Sequence, residues 1–393
     1  MKKLMVMGAG IYQVPLIKTA REMGIYTIAV SIPGNYPGFG FADEVLHINT
    51  VDSEAVLKAA QERQIDGICT AGTDVAVTTI GRVNDAMGLS GISYEAAKLA
   101  TDKVLMKQAY EENGVRTAKY RKVYFNEDVY EKIKGLQYPL IVKIVDSSGS
   151  RGITRVDKPE KLQAAILNAQ SFTRKDYYIV EEFIVGREFG AQAFVMDGKV
   201  QFVLPHGDYI FLGSTGVPAG HFAPYALPEE GQVDCIETAE KAIKAMKLDN
   251  CAVNCDFIMR DGRTYVLEIG GRSGATCLAE LVSIYYGYDY YKKIIQVALG
   301  EKPDFPTKKA VPNASKLLMS DKDGIICSLA DRNPKNDPDI VEVKFDYTVG
   351  DYVKKFHVGP NRIGHVITKG ATLAEATNAL DRALDNIEIG VNG

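Results

Sequence analysis

Two acidic residues in a predicted β-hairpin are the strongest candidates for chemistry in this chain. Residues 251–276 read as two strands around a tight turn at Asp261-Gly262, with Asp256 in the first strand and Glu268 in the second. Side chains alternate between faces along a strand, so the length of the turn decides whether the two carboxylates share a face. A two-residue loop would place them on opposite faces, whereas a loop with an odd number of residues would place them on one.

The apolar residues of this hairpin favour the odd loop, because it brings the odd-numbered residues of both strands onto one buried face. Those residues include Cys255, Phe257, Tyr265 and Leu267. We therefore predict a three-residue turn with Gly262 left-handed, and both carboxylates on the side away from the core. Two carboxylates a strand apart repel each other unless a cation lies between them, and oxygen ligands suit Mg²⁺. The alternative is an ordinary hairpin with two solvated acids.

A lysine and a glycine-rich loop precede the hairpin. Lys143 lies in an apolar run at 139–146 that should form a buried strand, where a lysine needs an anionic partner. The loop at 147–152, Ser-Ser-Gly-Ser-Arg-Gly, leaves several backbone N–H groups free to turn toward an anion. An ordinary hairpin loop would have the same composition.

Acidic residues also surround the end of a predicted strand at 177–184. Glu181 and Glu182 precede Phe183 and Ile184 there, and Glu188 begins the next strand. Adenine needs backbone donors and acceptors, and ribose hydroxyls need an acid, so a strand end followed by a glutamate could bind both. Taken singly, each of these residues is one of many surface acids.

The order of these motifs resembles that of the ATP-grasp superfamily of carboxylate ligases over about residues 95–300. Lys103, Lys143 with its loop, the stretch EEFIVGRE and the pair NCDFI and VLEIGGR follow one another as in that family. The chain looks most like the branch of phosphoribosylglycinamide synthetase, the carbamoyl-phosphate synthase-like proteins and the amino-acid ligases. The resemblance implies an ADP-forming carbon–nitrogen ligase, which activates a substrate carboxylate as an acyl phosphate and couples it to an amine. A bicarbonate-using ATP-dependent carboxylase and a nucleotide-binding module without turnover are the alternatives.

The resemblance also implies roles for individual residues. The residues that would contact the ATP phosphates are Lys103, Lys143, Ser148, Gly149 and Gly152. Those that would hold adenine and ribose are Glu181, Glu182, Phe183, Ile184 and Glu188. Mg²⁺, as one ion or two and with Mn²⁺ as a substitute, would bind Asp256 and Glu268. Arg272 and Lys143 would be catalytic: Arg272 would face the acyl phosphate or the substrate carboxylate, and Lys143 would help to neutralise the γ-phosphate as that carboxylate attacks it.

One position departs from the family pattern, and three further residues are candidates for substrate contacts. The family often has Asn two residues after the second metal acid, where this chain has Gly270, and this leaves the number of metal ions open. His206 and His221 lie in a long segment where such enzymes receive the acceptor substrate, and Arg151 lies in the glycine-rich loop. Ordinary loop histidines and a solvated arginine are the alternatives.

The predicted fold class is α/β in three parts. Alternating strands and helices at 1–93 predict a parallel-sheet domain, which the resemblance identifies as a pre-ATP-grasp domain. An α+β ATP-grasp domain follows at 94–302, with a lid subdomain at about 115–185, and a small α+β domain at 303–393. A Rossmann dinucleotide site at Gly8-x-Gly10 is disfavoured, because Gln13 replaces the third glycine and no acid ends the second strand.

Composition limits the partners of this chain. A formal net charge of −4 over 393 residues gives no argument for nucleic acid or an anionic membrane as a partner. No apolar run reaches the roughly 18 residues of a spanning helix, and the N-terminus does not read as a signal peptide. We therefore expect a cytoplasmic enzyme with small-molecule carboxylate and amine substrates. The resemblance suggests a homodimer.

Overall fold

The computed structural model describes residues 1–145, 152–212 and 216–393. Three residues of the predicted phosphate loop, Ser148, Gly149 and Arg151, lie outside the described residues. Gly152 is described, and it takes a left-handed conformation with φ of 65°.

The N-terminal segment is a parallel sheet between helices, as predicted. Its elements are β1 (Lys3–Met7), α1 (Val14–Glu22), β2 (Tyr26–Ser31), β3 (Glu44–His47), α2 (Ser53–Arg63), β4 (Gly67–Cys69) and α3 (Val77–Met87). The four strands pair in the order β3-β2-β1-β4, and every pair is parallel. β1 and β2 are almost wholly buried because helices cover both faces of the sheet.

Two helices lead from this segment into a separate antiparallel sheet. The elements are α4 (Tyr94–Thr101), α5 (Lys103–Glu112), β5 (Tyr120–Tyr124), α6 (Val129–Lys132), β6 (Leu140–Lys143), β7 (Ile153–Val156), α7 (Leu162–Phe172) and β8 (Tyr177–Glu182). Asp102 separates the two helices, and its carboxylate caps α5 by accepting from the N–H groups of Val104 and Leu105. The strands pair in the order β5-β8-β6-β7 around a core of their own.

The remaining elements build an eight-stranded sheet and a small three-stranded sheet. They begin with β9 (Arg187–Met196), β10 (Lys199–Leu212), β11 (Gly216–Ala223), α8 (Glu229–Ala245), β12 (Cys251–Arg260), β13 (Arg263–Gly270), α9 (Leu278–Tyr286) and α10 (Tyr290–Ala298). They end with β14 (Asn313–Leu318), β15 (Gly324–Asp331), β16 (Ile340–Phe345), β17 (Tyr352–Val353), β18 (Gly364–Lys369), α11 (Leu373–Asp385) and β19 (Ile387–Asn392). Short 3₁₀ turns occur at Pro37–Phe41, Pro159–Lys161 and Gly359–Asn361.

The eight-stranded sheet carries both predicted metal ligands, as well as Glu188 and the two candidate histidines. Its order is β13-β12-β9-β10-β11-β14-β18-β16, so strands from both sides of the predicted boundary at 302/303 join in one sheet. The three-stranded sheet, β17-β15-β19, packs with α11 against its far end. Within the described ranges, no helix combines the length and the apolar character needed to cross a membrane.

The hairpin of Asp256 and Glu268 does not have the predicted turn. Asp261 and Gly262 form a two-residue loop, both with positive φ, and residues 260 and 263 pair across it. The register then shifts by one residue, so that Phe257 pairs with Val266 while Asp256 pairs with Glu268. Leu267 is therefore the extra residue of a β-bulge. The three-residue turn is wrong, but the shared face of the two carboxylates is confirmed, because the bulge supplies the odd residue.

The predicted core face of this hairpin is partly wrong for the same reason. Val266 is fully buried opposite Phe257, in the main core between the sheet and its helices. Tyr265 and Leu267 pack instead at the edge of a second, smaller cluster that contains Ile258. A bulge cannot be read from apolar spacing, since a single inserted residue exchanges the two faces for the rest of the strand.

Candidate active site

Asp256 and Glu268 form the centre of the candidate site. They are directly opposed on β12 and β13. The Asp256 side chain is exposed to solvent, on the face of the sheet that it shares with Glu268. Its dense surroundings and the neighbouring charge of Glu268 raise the pKa of Asp256 to about 7. Two opposed carboxylates that resist ionising together are a donor set that fits a divalent cation.

Lys103 joins the acidic pair from the first turn of α5. Its ammonium nitrogen lies 3.0 Å from Oε1 of Glu268. Burial alone would lower the pKa of Lys103, but the Glu268 carboxylate holds it above its usual value. Lys103 therefore remains a cation beside the candidate metal ligands.

A second lysine of α5, Lys107, lies one helical turn further along and belongs to a buried cluster. Its ammonium nitrogen is 3.2 Å from Oε1 of Glu181, and that of Lys143 is 2.9 Å from the same atom. Burial tends to raise the pKa of Glu181, but the two lysines hold it below its usual range. The predicted need of Lys143 for an anionic partner is confirmed. Sequence analysis missed Lys107, although its i+4 spacing from Lys103 put it on the same face of a helix.

Arg272 is held by an acid from the N-terminal segment. Its Nε and Nη2 atoms donate to the two carboxylate oxygens of Asp74 at 2.7 and 2.6 Å. Such a bidentate pair fixes the plane of the guanidinium group. Sequence analysis also missed Asp74, which follows the carboxyl end of β4, where ligands of parallel sheets commonly bind.

Asp74 also gives a physical reason for glycine at position 270. A Cβ atom on residue 270 would approach Oδ1 of Asp74 to 2.8 Å, so a side chain there conflicts with the Asp74–Arg272 pair. An asparagine is nevertheless present in the same row of the sheet, because Asn254 is the cross-strand neighbour of Gly270. Its Nδ2 atom lies 3.4 Å from Oδ1 of Asp256, and its Oδ1 atom accepts from Gln192 at 2.6 Å. These contacts orient Asp256.

The predicted adenine residues lie at the end of β8. The N–H groups of Glu182 and Phe183 already donate to the carbonyls of Lys119 and Pro139. In the described part of the chain, the Ile184 N–H has no hydrogen-bond acceptor. The Ile184 side chain belongs to a small apolar cluster with Ile258, two residues from Asp256.

Glu188 and the two candidate histidines lie on the eight-stranded sheet. Glu188 is exposed on β9, two residues before Gly190, which pairs with Asp256. His206 and His221 are buried, and both Nδ1 atoms bond to Oδ1 of Asp208, at 3.0 and 2.6 Å. The binding roles predicted for these residues stay predictions.

Comparison with known proteins identifies the family. Residues 100–276 match the model of the ATP-grasp domain, and residues 316–392 match that of the L-amino acid ligase C-terminal domain 2. The crystal structure of phosphoribosylglycinamide synthetase from Anaerococcus prevotii is 36% identical to this chain, covers 100% of both chains and has a TM-score of 0.87. This chain belongs to the ATP-grasp family. The predicted α/β fold class and the prediction of an ADP-forming carbon–nitrogen ligase are thereby confirmed.

Curated relatives of this ATP-grasp ligase are less similar. D-alanine–D-alanine ligase of Geobacter sulfurreducens is 29% identical over 267 residues, which are 60% of this chain and 83% of that protein. Alanine–anticapsin ligase of Bacillus subtilis is 22% identical over 320 residues, which are 75% of this chain and 66% of that protein. Substrates differ among these proteins, so family membership alone leaves the substrate of this ligase open.

Proposed function

We propose that this ATP-grasp ligase uses Mg-ATP to activate the carboxylate of an amino acid and couples it to an amine. The observation that carries the proposal is the directly opposed pair of Asp256 and Glu268, with Lys103 3.0 Å from Glu268. The substrate class is supported by the names of the C-terminal family and of the three relatives given above, which contain an L-amino acid, an alanine or a glycinamide.

Asp256 and Glu268 would hold the metal ion. Bound there, Mg²⁺ would neutralise the charge of the ATP phosphates and orient them for transfer. Asn254 would orient Asp256 through its amide group, and Lys103 would place a further positive charge beside the phosphates. The number of ions is open, because position 270 offers no side chain.

The nucleotide would lie between the metal ligands and the end of β8. Lys143, paired with Glu181, is the second predicted phosphate contact, and Lys107 stabilises the same pair from α5. The N–H of Ile184, which has no acceptor among the described residues, is the backbone donor that would bind adenine, beside the apolar side chain of Ile258. Glu188 is exposed on the same face of the sheet as Asp256, and it is the proposed ribose contact.

Arg272 would stabilise charge on the reacting groups. A substrate carboxylate attacks the γ-phosphorus atom, which gives the acyl phosphate and ADP. The amine nitrogen then bonds to the acyl carbon while the bond from that carbon to the phosphate oxygen breaks. Written in full, an acyl phosphate and an ammonium ion give an amide, hydrogen phosphate and one proton. An arginine held rigid by Asp74 can act on the oxyanion of this step without reorganising.

The bicarbonate-using carboxylase has less support. The C-terminal match is to L-amino acid ligases, and the three relatives named above are ligases or synthetases of amino-acid derivatives. A nucleotide-binding module without turnover has no specific feature in its favour, since the proposed metal ligands, phosphate lysines and Arg272 are all present. A homodimer and a cytoplasmic location remain expectations from the family.

The decisive experiment is a screen for ADP release. The protein would be incubated with Mg-ATP, single amino acids as carboxylates, and amino acids, phosphoribosylamine or hydroxylamine as nucleophiles, with bicarbonate in parallel. We expect one or a few amino acids to stimulate ADP release, and hydroxylamine to trap the acyl group as a hydroxamate. Glu268→Gln should abolish the stimulated rate, whereas Glu240→Gln, an exposed residue of α8, should leave it unchanged. Stimulation by bicarbonate alone, or full activity of Glu268→Gln, would reject the proposal.

A further inference from the structure

Asp208 is the centre of a second polar cluster on the eight-stranded sheet. Its Oδ1 atom bonds to Nδ1 of His206 on β10 and Nδ1 of His221 on β11. The ligand atoms of these three residues all lie within 4.8 Å of one another. Asp208 itself is only partly buried, while both imidazoles are 3% exposed.

This histidine–aspartate cluster lies on the same face of the sheet as the candidate metal ligands. Gly190 pairs with His206 on one side and with Asp256 on the other, and Asp256 pairs with Glu268. Directly paired residues point to the same face, so these four form one row across the sheet. Asp208 is two residues beyond His206 and pairs with His221, which puts both on that face as well.

Gly190 provides the space between the two groups. A Cβ atom on residue 190 would lie 2.5 Å from Nε2 of His206, so only glycine lets this ring extend over the sheet toward Asp256. The ring of His206 therefore occupies the space over Gly190, whose other cross-strand neighbour is Asp256.

The protonation state of the cluster follows from its hydrogen bonds. Burial tends to raise the pKa of Asp208, but His221 and His206 hold it well below its usual range, so the carboxylate is ionised. An ionised carboxylate only accepts hydrogen bonds, and both Nδ1 atoms must therefore carry hydrogen. In a ring that carries its hydrogen on Nδ1, the Nε2 atom is an acceptor, and burial lowers the pKa of His221, which favours the neutral form of that ring.

Acceptor atoms of the cluster lack donors within the described part of the chain. Nε2 of His206 is buried without a hydrogen-bond partner among the described residues. Oδ2 of Asp208 likewise receives no hydrogen bond from residues 1–145, 152–212 or 216–393. An uncompensated buried acceptor is costly, so a ligand that supplies N–H groups and a positive charge would be favoured here. The nearest lysine on the neighbouring strand, Lys316 of β14, does not supply it, because its ammonium group lies over the ring of Tyr209.

We propose that Asp208, oriented by His206 and His221, binds the ammonium group of the amine substrate. The inference rests on the proposed function and extends it: the nucleophile is a primary amine that is a cation at neutral pH, such as an α-amino group. It would lie between the histidine–aspartate cluster and the acyl phosphate at the metal ligands.

The test compares two nucleophiles on the same activated acid. An amine that is a cation at neutral pH needs the negative charge of Asp208, whereas hydroxylamine is neutral and small. We expect Asp208→Asn to lower the ratio of kcat/KM for the amine to kcat/KM for hydroxylamine by about 10- to 100-fold, as for loss of a hydrogen bond to a charged group. Asp381→Asn, an exposed residue of α11, should leave the ratio unchanged. An unchanged ratio in a folded Asp208→Asn would overturn the proposal.

A second measurement needs no variant of Asp208. The N,N-dimethyl homologue of the amine keeps the positive charge and one N–H group, and the isopropyl homologue has the same shape without either. We expect only the charged homologue to compete with the amine in the wild-type protein, and equal competition would refute the proposal. A stoichiometric transition metal in the purified protein would also refute it, since the cluster would then be a metal site. Absence of hydroxamate with every acid would instead reject the proposed function.

Discussion

Gly270 and Asp74 lie so close that a Cβ atom on residue 270 would be 2.8 Å from Oδ1 of Asp74. That oxygen accepts from Nε of Arg272 at 2.7 Å, and the partner oxygen accepts from Nη2. A side chain at position 270 therefore competes with the pair that holds Arg272. The Asp74–Arg272 pair therefore explains why glycine stands at position 270, where the family often has Asn. The same pair joins the N-terminal segment to the candidate site.

Gly270→Asn should lower activity although it introduces the residue that is common in the family. The new side chain displaces Asp74 and releases Arg272, and we expect kcat to fall about tenfold or more, which corresponds to about 1.4 kcal/mol. Steady-state ADP release measures the effect. Gly40→Asn is the matched control, because Gly40 is exposed, has open space at its Cβ position and does not have a positive φ. Higher activity of Gly270→Asn would mean that a missing metal ligand limits the enzyme.

Metal binding should depend on pH near neutrality. The pKa of Asp256 is raised to about 7 by its dense surroundings and by Glu268, so a proton competes with the metal ion below that pH. We expect the dissociation constant for Mg²⁺ or Mn²⁺ to rise about tenfold for each pH unit below 7 and to level off above it, with release of one proton on binding well below pH 7 and of none well above it. Calorimetry in buffers of different ionisation enthalpy would measure both. Affinity that is constant from pH 6 to 8 would contradict the assignment.

The same shift predicts a stability effect of Asp256→Asn. A carboxyl group whose pKa is higher in the folded than in the unfolded state destabilises the fold as pH rises between the two values, here from about 4 to about 7. Without metal at pH 8, Asp256→Asn should therefore raise the melting temperature, by about 2 °C because solvent screens this exposed group. Mg²⁺ should raise the melting temperature of the wild type but not of the variant. A lower melting temperature of the variant in EDTA would disprove this.

Local sequence pattern was enough to predict the order of the motifs and the shared face of Asp256 and Glu268. It failed to predict the turn. The loop has two residues, and the extra residue that puts both carboxylates on one face is Leu267 in the β-bulge. A bulge depends on packing of the neighbouring strands, which a single strand does not encode. The prediction of a shared face was therefore correct because one extra residue is present, although this residue lies in the strand and not in the turn.

Long-range partners were the other limit. Asp74 contacts a residue 198 positions away, and Asp208 is one of 50 acidic residues in the chain. Neither could be selected without knowledge of which strands are neighbours. Lys107 is a different case. Its spacing from Lys103 is visible in the sequence, but its buried partner Glu181 is not. The predicted domain boundary at 302/303 remains a proposal. β14 lies beyond this boundary but belongs to the same sheet as strands that precede it.

Glu181 should be more important for stability than either lysine that it neutralises. Glu181→Gln leaves two buried ammonium groups without a counter-charge, and we expect it to lower the free energy of unfolding by about 3–5 kcal/mol. Lys107→Met should cost less, because Glu181 keeps Lys143 at 2.9 Å and burial already lowers the pKa of Lys107 to about 8. Urea unfolding measures both, with Glu160→Gln on the surface as the control.

The loss in Glu181→Gln should also depend on pH. A lysine whose pKa is lower in the folded than in the unfolded state destabilises the fold below its folded pKa, and this penalty disappears as the lysine loses its proton in both states. Without Glu181 the pKa of Lys107 should fall further, so that the folded protein can discard the buried charge at lower pH. The difference from wild type should therefore be smaller at pH 9 than at pH 7. A difference that grows with pH would mean that Glu181 is not the counter-charge of Lys107.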